Sequence, residues 1–524
     1  VDVSEDISVD DTVYSVNYAL GAEYAYDDEE GFLSGHEDNS AYLLTDGYVP
    51  ELPTFGKTVI FIGTKRIVTM VIDLGSEKDD IDRIVFGGVH NSVEKGGNRG
   101  FSEEKTMFYF STDGIEYERN KDFTLTKEEK GTECYYDYTF DFDAPVKARY
   151  VKILMYSTHY LLSLGEIGIY GEPENVIAKG DSFSSRKWKF TDKGTLVVSG
   201  KWEYSGMEYL HPWKRYQDEV KLLVVEHGIS YIDNFSEYSN LEEVYMASSV
   251  TSFNKFYRCE KLRRVRLSRN ITEIPYLAFN DCYALEEIKL HEGITFIGVS
   301  AFENCTSIKE VSFPSTLETL AGFSFANCIL LANVKLNEGL MDIEGNAFIG
   351  TALYENEDYY DGSLFYIDNI LMFRKDLAKD EEIVIREGTT VIAGEAFHDC
   401  ENVKKIIIPE SVVYIGFGAF TCESLEEINI PSGIDVIRGY AFAGCDNLNE
   451  ITIPESVTII EENAFAYSGL EKIIIPDKVK TIENSAFYNC ENLKEVTIGK
   501  SVETIDYCAF AECFNLKSVY IPET

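Results

Sequence analysis

From about Lys221 onward, apolar and polar positions recur in phase along the chain. In the unit Asn447–Ser468, Ile451 and Ile453 alternate with polar residues and Pro454 ends the alternation. Val457 and Ile460 follow, and Ala464-Phe465 closes the unit. Alternation with period two predicts a short strand, and proline, having no N–H for a ladder, predicts its end. The Ala-Phe segment predicts a tight helical turn. The Phe anchor recurs at Phe235, Phe256, Phe279, Phe302, Phe325, Phe348, Phe397, Phe420, Phe442, Phe465, Phe487 and Phe510. The steps are 21, then 23 four times, then 49, then 23, 22, 23, 22 and 23, which predicts twelve units and one insertion of 26 residues. One unit cannot bury its apolar face, but stacked units with strands about 4.8 Å apart can. The prediction is a solenoid over 221–524, with the insertion near 351–382.

Upstream the pattern changes. Thr69–Gly75, Ile81–Gly88, Thr106–Gly114, Tyr135–Phe142 and Arg149–Tyr156 each alternate or run apolar, and Asp113-Gly114 is a hairpin signal. Strands at this spacing predict a β-sandwich over 1–173, leaving 174–220 as a linker and capping segment. The fold class is mainly β throughout.

Nine cysteines share one repeat slot: Cys259, Cys282, Cys305, Cys328, Cys400, Cys422, Cys445, Cys490 and Cys513. Thr351 and Ser468 occupy the slot in other units. Neither paired C-x-x-C nor histidine neighbours accompany them, so a metal role is not indicated. The Ser and Thr replacements argue against disulfides, and a ladder of small buried thiols is the expectation. Cys508 with Cys513 is the one local bridge the spacing would allow.

If Ile451 and Ile453 point inward, their neighbours point outward. Carried along the array, this exposes two columns that include Glu243 and Tyr245, Arg264 and Arg266, Glu287 and Lys289, Asn333 and Lys335, Lys405 and Ile407, and Lys472 and Ile474. Solenoids bind partners on such faces. Tyr245, Arg264, Arg266, Lys289, Lys335, Ile407 and Ile474 are therefore candidate protein contacts, and a merely solvated edge is the alternative.

Charge narrows the partners. With 47 Lys and Arg against 90 Asp and Glu, the net charge is −43 over 524 residues, so nucleic acid is repelled. The longest apolar stretch, Thr58 to Leu74, is broken by Lys65-Arg66, and no membrane insertion is expected. The seven histidines are scattered, and neither G-x-S-x-G nor G-x-x-x-x-G-K-[ST] occurs, so no enzyme is predicted. The opening VDVSEDISVDD is read as a mature or trimmed form of an exported protein, and the terminal Ile521-Pro522 as a repeat that continues. Oligomeric state stays open.

The repeat L-x-x-[IV]-x-I-P-x-[SG]-[VI]-x-x-I-x-x-x-A-F-x-x-C resembles the BspA-like leucine-rich repeat, and Trp188, Lys193–Gly200 and Pro212-Trp213 resemble the cap that opens such arrays. In the first domain Asn17-YALG, Leu44-TDG, Asp73-LG, Ser111-TDG, Ala148-RYVKI and Ser163-LGEIGIYG resemble the discoidin (coagulation-factor type C, galactose-binding-like) sandwich. That resemblance implies binding of a glycan, lipid or protein in loops at one end. It also implies a structural calcium near Asp46 and Glu166, with an ordinary Asp-Gly turn as the alternative for Asp46. In the glycine-rich stretch His90–Phe101 and nearby, Phe101 and Tyr160 would face a sugar ring, and His36, His90, Asn91 and Arg99 would hydrogen-bond it. The domain has no Trp, unlike many sugar binders. The expected function is a secreted or cell-surface bacterial adhesion protein that binds a glycan or host ligand; the alternative is a structural spacer with a protein-docking sandwich.

Overall fold

The computed structural model describes residues 23–27, 32–33, 59–62, 67–90, 102–113, 115–130, 135–156, 161–164, 166–171, 175–182, 186–200, 211–226, 228–337, 339–375, 380–398 and 400–522. They form two compact units, Val1–Asn254 with Arg258–Thr272, and Lys255–Tyr257 with Glu273–Thr524.

The first unit opens with ten strands: β1 (Glu23–Asp27), β2 (Phe32–Leu33), β3 (Val59–Ile62), β4 (Ile67–His90), β5 (Ser102–Ser111), β6 (Glu118–Asn120), β7 (Phe123–Lys130), β8 (Tyr135–Tyr156), β9 (Leu161–Leu164) and β10 (Glu166–Gly171). They pair antiparallel in the order β1-β4-β8-β5-β6, with β10 on β4 and β7 on β8, beside a smaller β2-β3-β9 sheet. Two pairs of runs expected as separate strands are single long ones. Thr69–Gly75 and Ile81–Gly88 both lie in β4, and Tyr135–Phe142 and Arg149–Tyr156 both lie in β8. Asp73-Leu74-Gly75 therefore lies within β4, at the start of its register shift against β8. The β4–β8 register shifts between Asp73 and Arg83, which lets both strands bend there. The halves then face each other across the core, with Phe108 at 4.9 Å from Phe140 and Phe110 at 5.3 Å from Phe142.

The chain continues through β11 (Val176–Ser182), β12 (Arg186–Thr191) and β13 (Thr195–Gly200), an antiparallel meander. Then the pairing changes to parallel, from β13 to β14 (Leu222–Val225), β16 (Glu243–Met246) and β18 (Arg264–Arg266). A second parallel pair joins β15 (Tyr231–Ile232) to β17 (Ser252–Phe253). Aromatics close the open end of the first coil: Phe190 stacks on Tyr216 at 4.5 Å, and Trp213 lies between Trp188 and Phe235.

In the second unit, strands one repeat apart pair in parallel, as in Glu310–Ser312 with Asn333–Lys335 and Lys472–Ile474 with Glu495–Thr497. Ile451–Ile453, by contrast, forms no ladder, although Ile453 is buried. The Phe anchors stack with ring centroids 4.8 to 5.8 Å apart, from Phe256 to Phe348 and again from Phe397 to Phe510. Each buried ring contributes about 2–3 kcal/mol of apolar burial.

The Ala-Phe segment corrects the sequence expectation. Only Gly345–Phe348 forms a short 3-10 helix; in the seven units of Phe279, Phe302, Phe325, Phe442, Phe465, Phe487 and Phe510 the residues two before and two after the Phe are left-handed, as in Leu277 (φ 55°) and Asp281 (φ 59°). That backbone turns alternate N–H groups toward the next coil: Leu277 donates to Val299 O, Phe279 to Ala301 O and Asp281 to Glu303 O. A helix would spend those donors within one turn, and the coils would lose their third ladder.

The slot three residues after the Phe is buried. Cys282 donates its thiol to Phe256 O, Cys305 to Phe279 O and Cys328 to Phe302 O, each at 3.2 Å. Thr351 serves its own coil similarly, donating to Phe348 O at 2.7 Å. All described thiols are free, including Cys508 and Cys513. The insertion folds as a hairpin, Leu364–Ile367 with Ile370–Arg374, and the array resumes where Gly345 N–H meets Gly394 O at 2.8 Å.

Candidate ligand-binding surfaces

The bend in β4 and β8 decides which loops share an end of the sandwich. His90, the last residue of β4, pairs with Tyr135; Ser102, the first of β5, pairs with Tyr156; and Glu166, the first of β10, pairs close by, opposite Gly87. These strand ends therefore lie at the end opposite the bend. His36, Asp46, Asn91, Arg99, Phe101 and Tyr160 lie outside the described residues, and only the backbone positions of His90 and Glu166 are described. A polar cleft of about 800 Å³ opens at the bent end, lined by Asp113, Glu116, Tyr117, Arg119, Lys121 and Lys147 among others. Asp113 is committed locally, accepting from the Ile115 and Glu116 amides, which together with Ser111 hold its carboxyl below the usual range.

On the outward strand face, the first coils differ from the rest. Leu196, Val197 and Val198 in β13, Leu223, Val224 and Val225 in β14, and Val244, Tyr245 and Met246 in β16 are all buried, so these strands are covered on both faces. The cover is the sandwich: Val197, Val224, Tyr245 and Ala247 belong to the same core as Ile72, Phe110, Phe142 and Ala148. Tyr245, expected on a free protein-binding face, is 0% exposed. Strand alternation placed it outward correctly, but another layer stands there.

Lys78, at the β4 bend, reaches over this surface. Its Nζ donates to Glu243 Oε2 at 2.8 Å, while Arg264 Nη1 donates to Glu243 Oε1 at 2.9 Å and the Tyr245 hydroxyl donates at 2.6 Å. Arg266 lies 4.5 Å from the Tyr245 ring centre. Arg264 and Arg266, candidate protein contacts by alternation, are therefore engaged at the sandwich contact. Burial pushes the Glu243 carboxyl up, but the Lys78 ammonium, the Tyr245 bond and Arg264 bring it down to about 2. Burial also disfavours the Lys78 charge, yet the surrounding Tyr245 and Glu243 oxygens leave its pKa raised. Sequence reasoning did not single out Lys78. The available signal was the loss of alternation in Leu196-Val-Val, Leu222-Leu-Val-Val and Val244-Tyr-Met.

Farther along, Lys289, Lys335, Ile407 and Ile474 are exposed. Most cations on this face already have carboxylates: Lys405 meets Glu427 at 2.9 Å, Lys472 meets Glu495 at 3.7 Å, and Lys289 is 4.0 Å from Glu287.

The coil geometry has a counterpart among known families. The model for the BspA type leucine rich repeat region matches residues 229–355, 372–473 and 415–524 in six copies, more than half of the chain. The chain belongs to this family. No curated protein matches the sequence. Among solved structures, a leucine rich cell surface protein from Faecalibacterium prausnitzii is 24% identical over 66% of this BspA-type chain and 95% of its own, with a TM-score of 0.29. Over 30% of the chain, similarity extends to a fucose binding module from Streptococcus pneumoniae (15% identical, 97% of that chain, TM-score 0.20). A Clostridium perfringens module solved with GalNAc-β-1,3-galactose is 16% identical over 30% of this chain and 100% of its own, with a TM-score of 0.21.

Proposed function

We propose that this BspA-type protein is a non-catalytic binding protein of the bacterial cell exterior. Its sandwich captures a glycan, and its solenoid contacts protein through exposed strand-face residues such as Lys289, Lys335, Ile407 and Ile474. The observation that carries the first part is the placement of strand ends. His90, Ser102, Tyr156 and Glu166 share the end opposite the one seated on the coils. Loops leaving that end are free to meet a ligand while the other end is held. Phe101 and Tyr160 would supply an apolar face, with His36, His90, Asn91 and Arg99 as hydrogen-bonding partners. Calcium would be held by Asp46 and Glu166 with backbone oxygens, steadying the loops. The solved modules named for fucose and for GalNAc-β-1,3-galactose suggest the first sugars to try.

The test is titration of the intact chain against a glycan panel, with and without calcium. The intact chain is required because Val197, Val224 and Tyr245 complete the sandwich core. Binding that is lost in His90→Ala and Arg99→Ala supports the reading; no binding to any glycan in either condition removes it. The Lys78–Glu243 contact favours a second reading, in which the coils are a mount for a protein-docking sandwich. Immobilised full-length protein exposed to host extracellular-matrix proteins separates the two: retention abolished by Ile407→Ser with Ile474→Ser belongs to the coils, and retention unchanged by them belongs to the sandwich.

A further inference from the structure

The strand face is largely neutralised, whereas the turn edge that carries the Phe anchors is not. In the ten turns around Phe279 to Phe510, taken from five residues before each Phe to four after, there are fourteen carboxylates and one Lys or Arg, Arg438. Arg438 is already committed, pairing with Glu461 at 2.7 Å and lying over the Tyr414 ring at 5.0 Å. Asp446 shows the consequence: burial and the neighbouring Glu423 and Glu491 carboxylates raise its pKa.

The same edge holds the exposed aromatics. Between residues 273 and 500, every exposed aromatic among the described residues lies in these turns, including Tyr276, Phe323, Phe417, Tyr440 and Tyr467. Elsewhere in this unit tyrosines carry a cation from the chain itself: Lys375 sits 3.9 Å from the Tyr360 ring centre and Arg386 4.0 Å from that of Tyr366. Phe417 and Tyr440 instead pair with each other at 5.0 Å, leaving their outer surfaces to solvent.

Backbone conformation adds an independent point. Phe323 (φ 57°), Tyr440 (φ 56°) and Tyr467 (φ 60°) are left-handed, a region that disfavours bulky residues. Equivalent positions in other coils hold Gly418, Gly444 or Asn463. Exposed rings at strained positions do little for the core, so their placement calls for a role outside the fold.

We propose that this turn edge is a docking surface for an extended polypeptide segment bearing lysine or arginine. Its cations stack on the exposed rings and meet the carboxylate column. Phe417 to Tyr467 spans two coil-to-coil steps, about 10 Å, or about three residues of extended chain. The surface differs from the strand face and from the sandwich loops, so failure of glycan binding would leave it untouched.

The test uses the full chain and a labelled dodecapeptide of alternating arginine and serine, with a glutamate–serine peptide as control, read by fluorescence anisotropy at about 0.15 M salt. The triple variant Phe417→Ser, Tyr440→Asn, Tyr467→Asn keeps the net charge, alters only exposed rings and relieves backbone strain at Tyr440 and Tyr467, so it should fold. It should weaken binding about tenfold or more. Glu423→Gln with Asp446→Asn and Glu491→Gln should do the same. Glu310→Gln with Glu427→Gln and Glu495→Gln, which removes equal charge from the strand face, should change it less than about twofold. No binding at this salt, or equal losses from the two carboxylate sets with none from the aromatic set, would overturn the proposal.

Discussion

Replacing Glu243 by Gln should loosen the sandwich from the first coils far more than replacing its partner Lys78 by Met. The carboxylate accepts from Lys78, Arg264 and Tyr245. Its pKa falls from 4.5 to about 2, which corresponds to about 3 kcal/mol at about 1.4 kcal/mol per unit. Side-chain exposure is only 19% for Glu243 and 12% for Lys78, so solvent screens the pair little. Glu243→Gln strands two cations beside a buried ring, at about 3 kcal/mol. Lys78→Met leaves Glu243 with Arg264 and Tyr245 and should lose about 1 kcal/mol. Hydrogen exchange of peptides covering residues 67–90 and 222–246 at pH 7 reads the contact directly. Glu243→Gln should speed exchange there by about 150-fold, since 1.4 kcal/mol is a factor of ten. The pH dependence follows from the depressed carboxyl: its contribution is complete above about 4.5 and is lost as pH falls toward 2. Unchanged protection in Glu243→Gln, or a larger loss in Lys78→Met, would refute this account.

Three further outcomes are expected. Phe465→Ala, which removes a fully buried ring stacked at 5.2 and 5.1 Å on its neighbours, should destabilise the second unit by about 3–5 kcal/mol in urea unfolding. Glu344, raised to about 7 by burial and by Glu395 and Asp342, is more protonated in the folded state. The second unit should therefore lose stability as pH rises from about 4.5 to 7, and Glu344→Gln should raise its melting temperature at pH 8 but not at pH 4. Burial pushes the Cys259, Cys328 and Cys445 thiols up to about 12, so alkylation at pH 8 followed by peptide mapping should modify half-buried Cys508 before those three, which react only after denaturation.

The repeat was legible because its contacts join residues one period apart. A Phe every 22 or 23 residues stacks on the next Phe, and the Cys slot meets the preceding Phe carbonyl. The turn conformation was less legible, because Asn, Tyr, Ser and Leu all occupy left-handed positions that composition alone would assign to glycine. The corner in β4 was hidden for a related reason. Asp73-Leu74-Gly75 has turn chemistry, yet it lies inside one continuous strand whose register against β8 shifts just after Asp73.

The candidate surfaces divide similarly. The chain's alternation alone determined that Tyr245, Arg264 and Arg266 project from the strand face, and its charge made nucleic acid a poor partner. Only the packing of the sandwich on the coils decided that Tyr245 is interior and that Lys78 completes its surroundings. Periodicity specifies the side of a strand a residue takes, a local property of the backbone; what stands on that side is set by contacts between segments 165 residues apart, which no local pattern encodes.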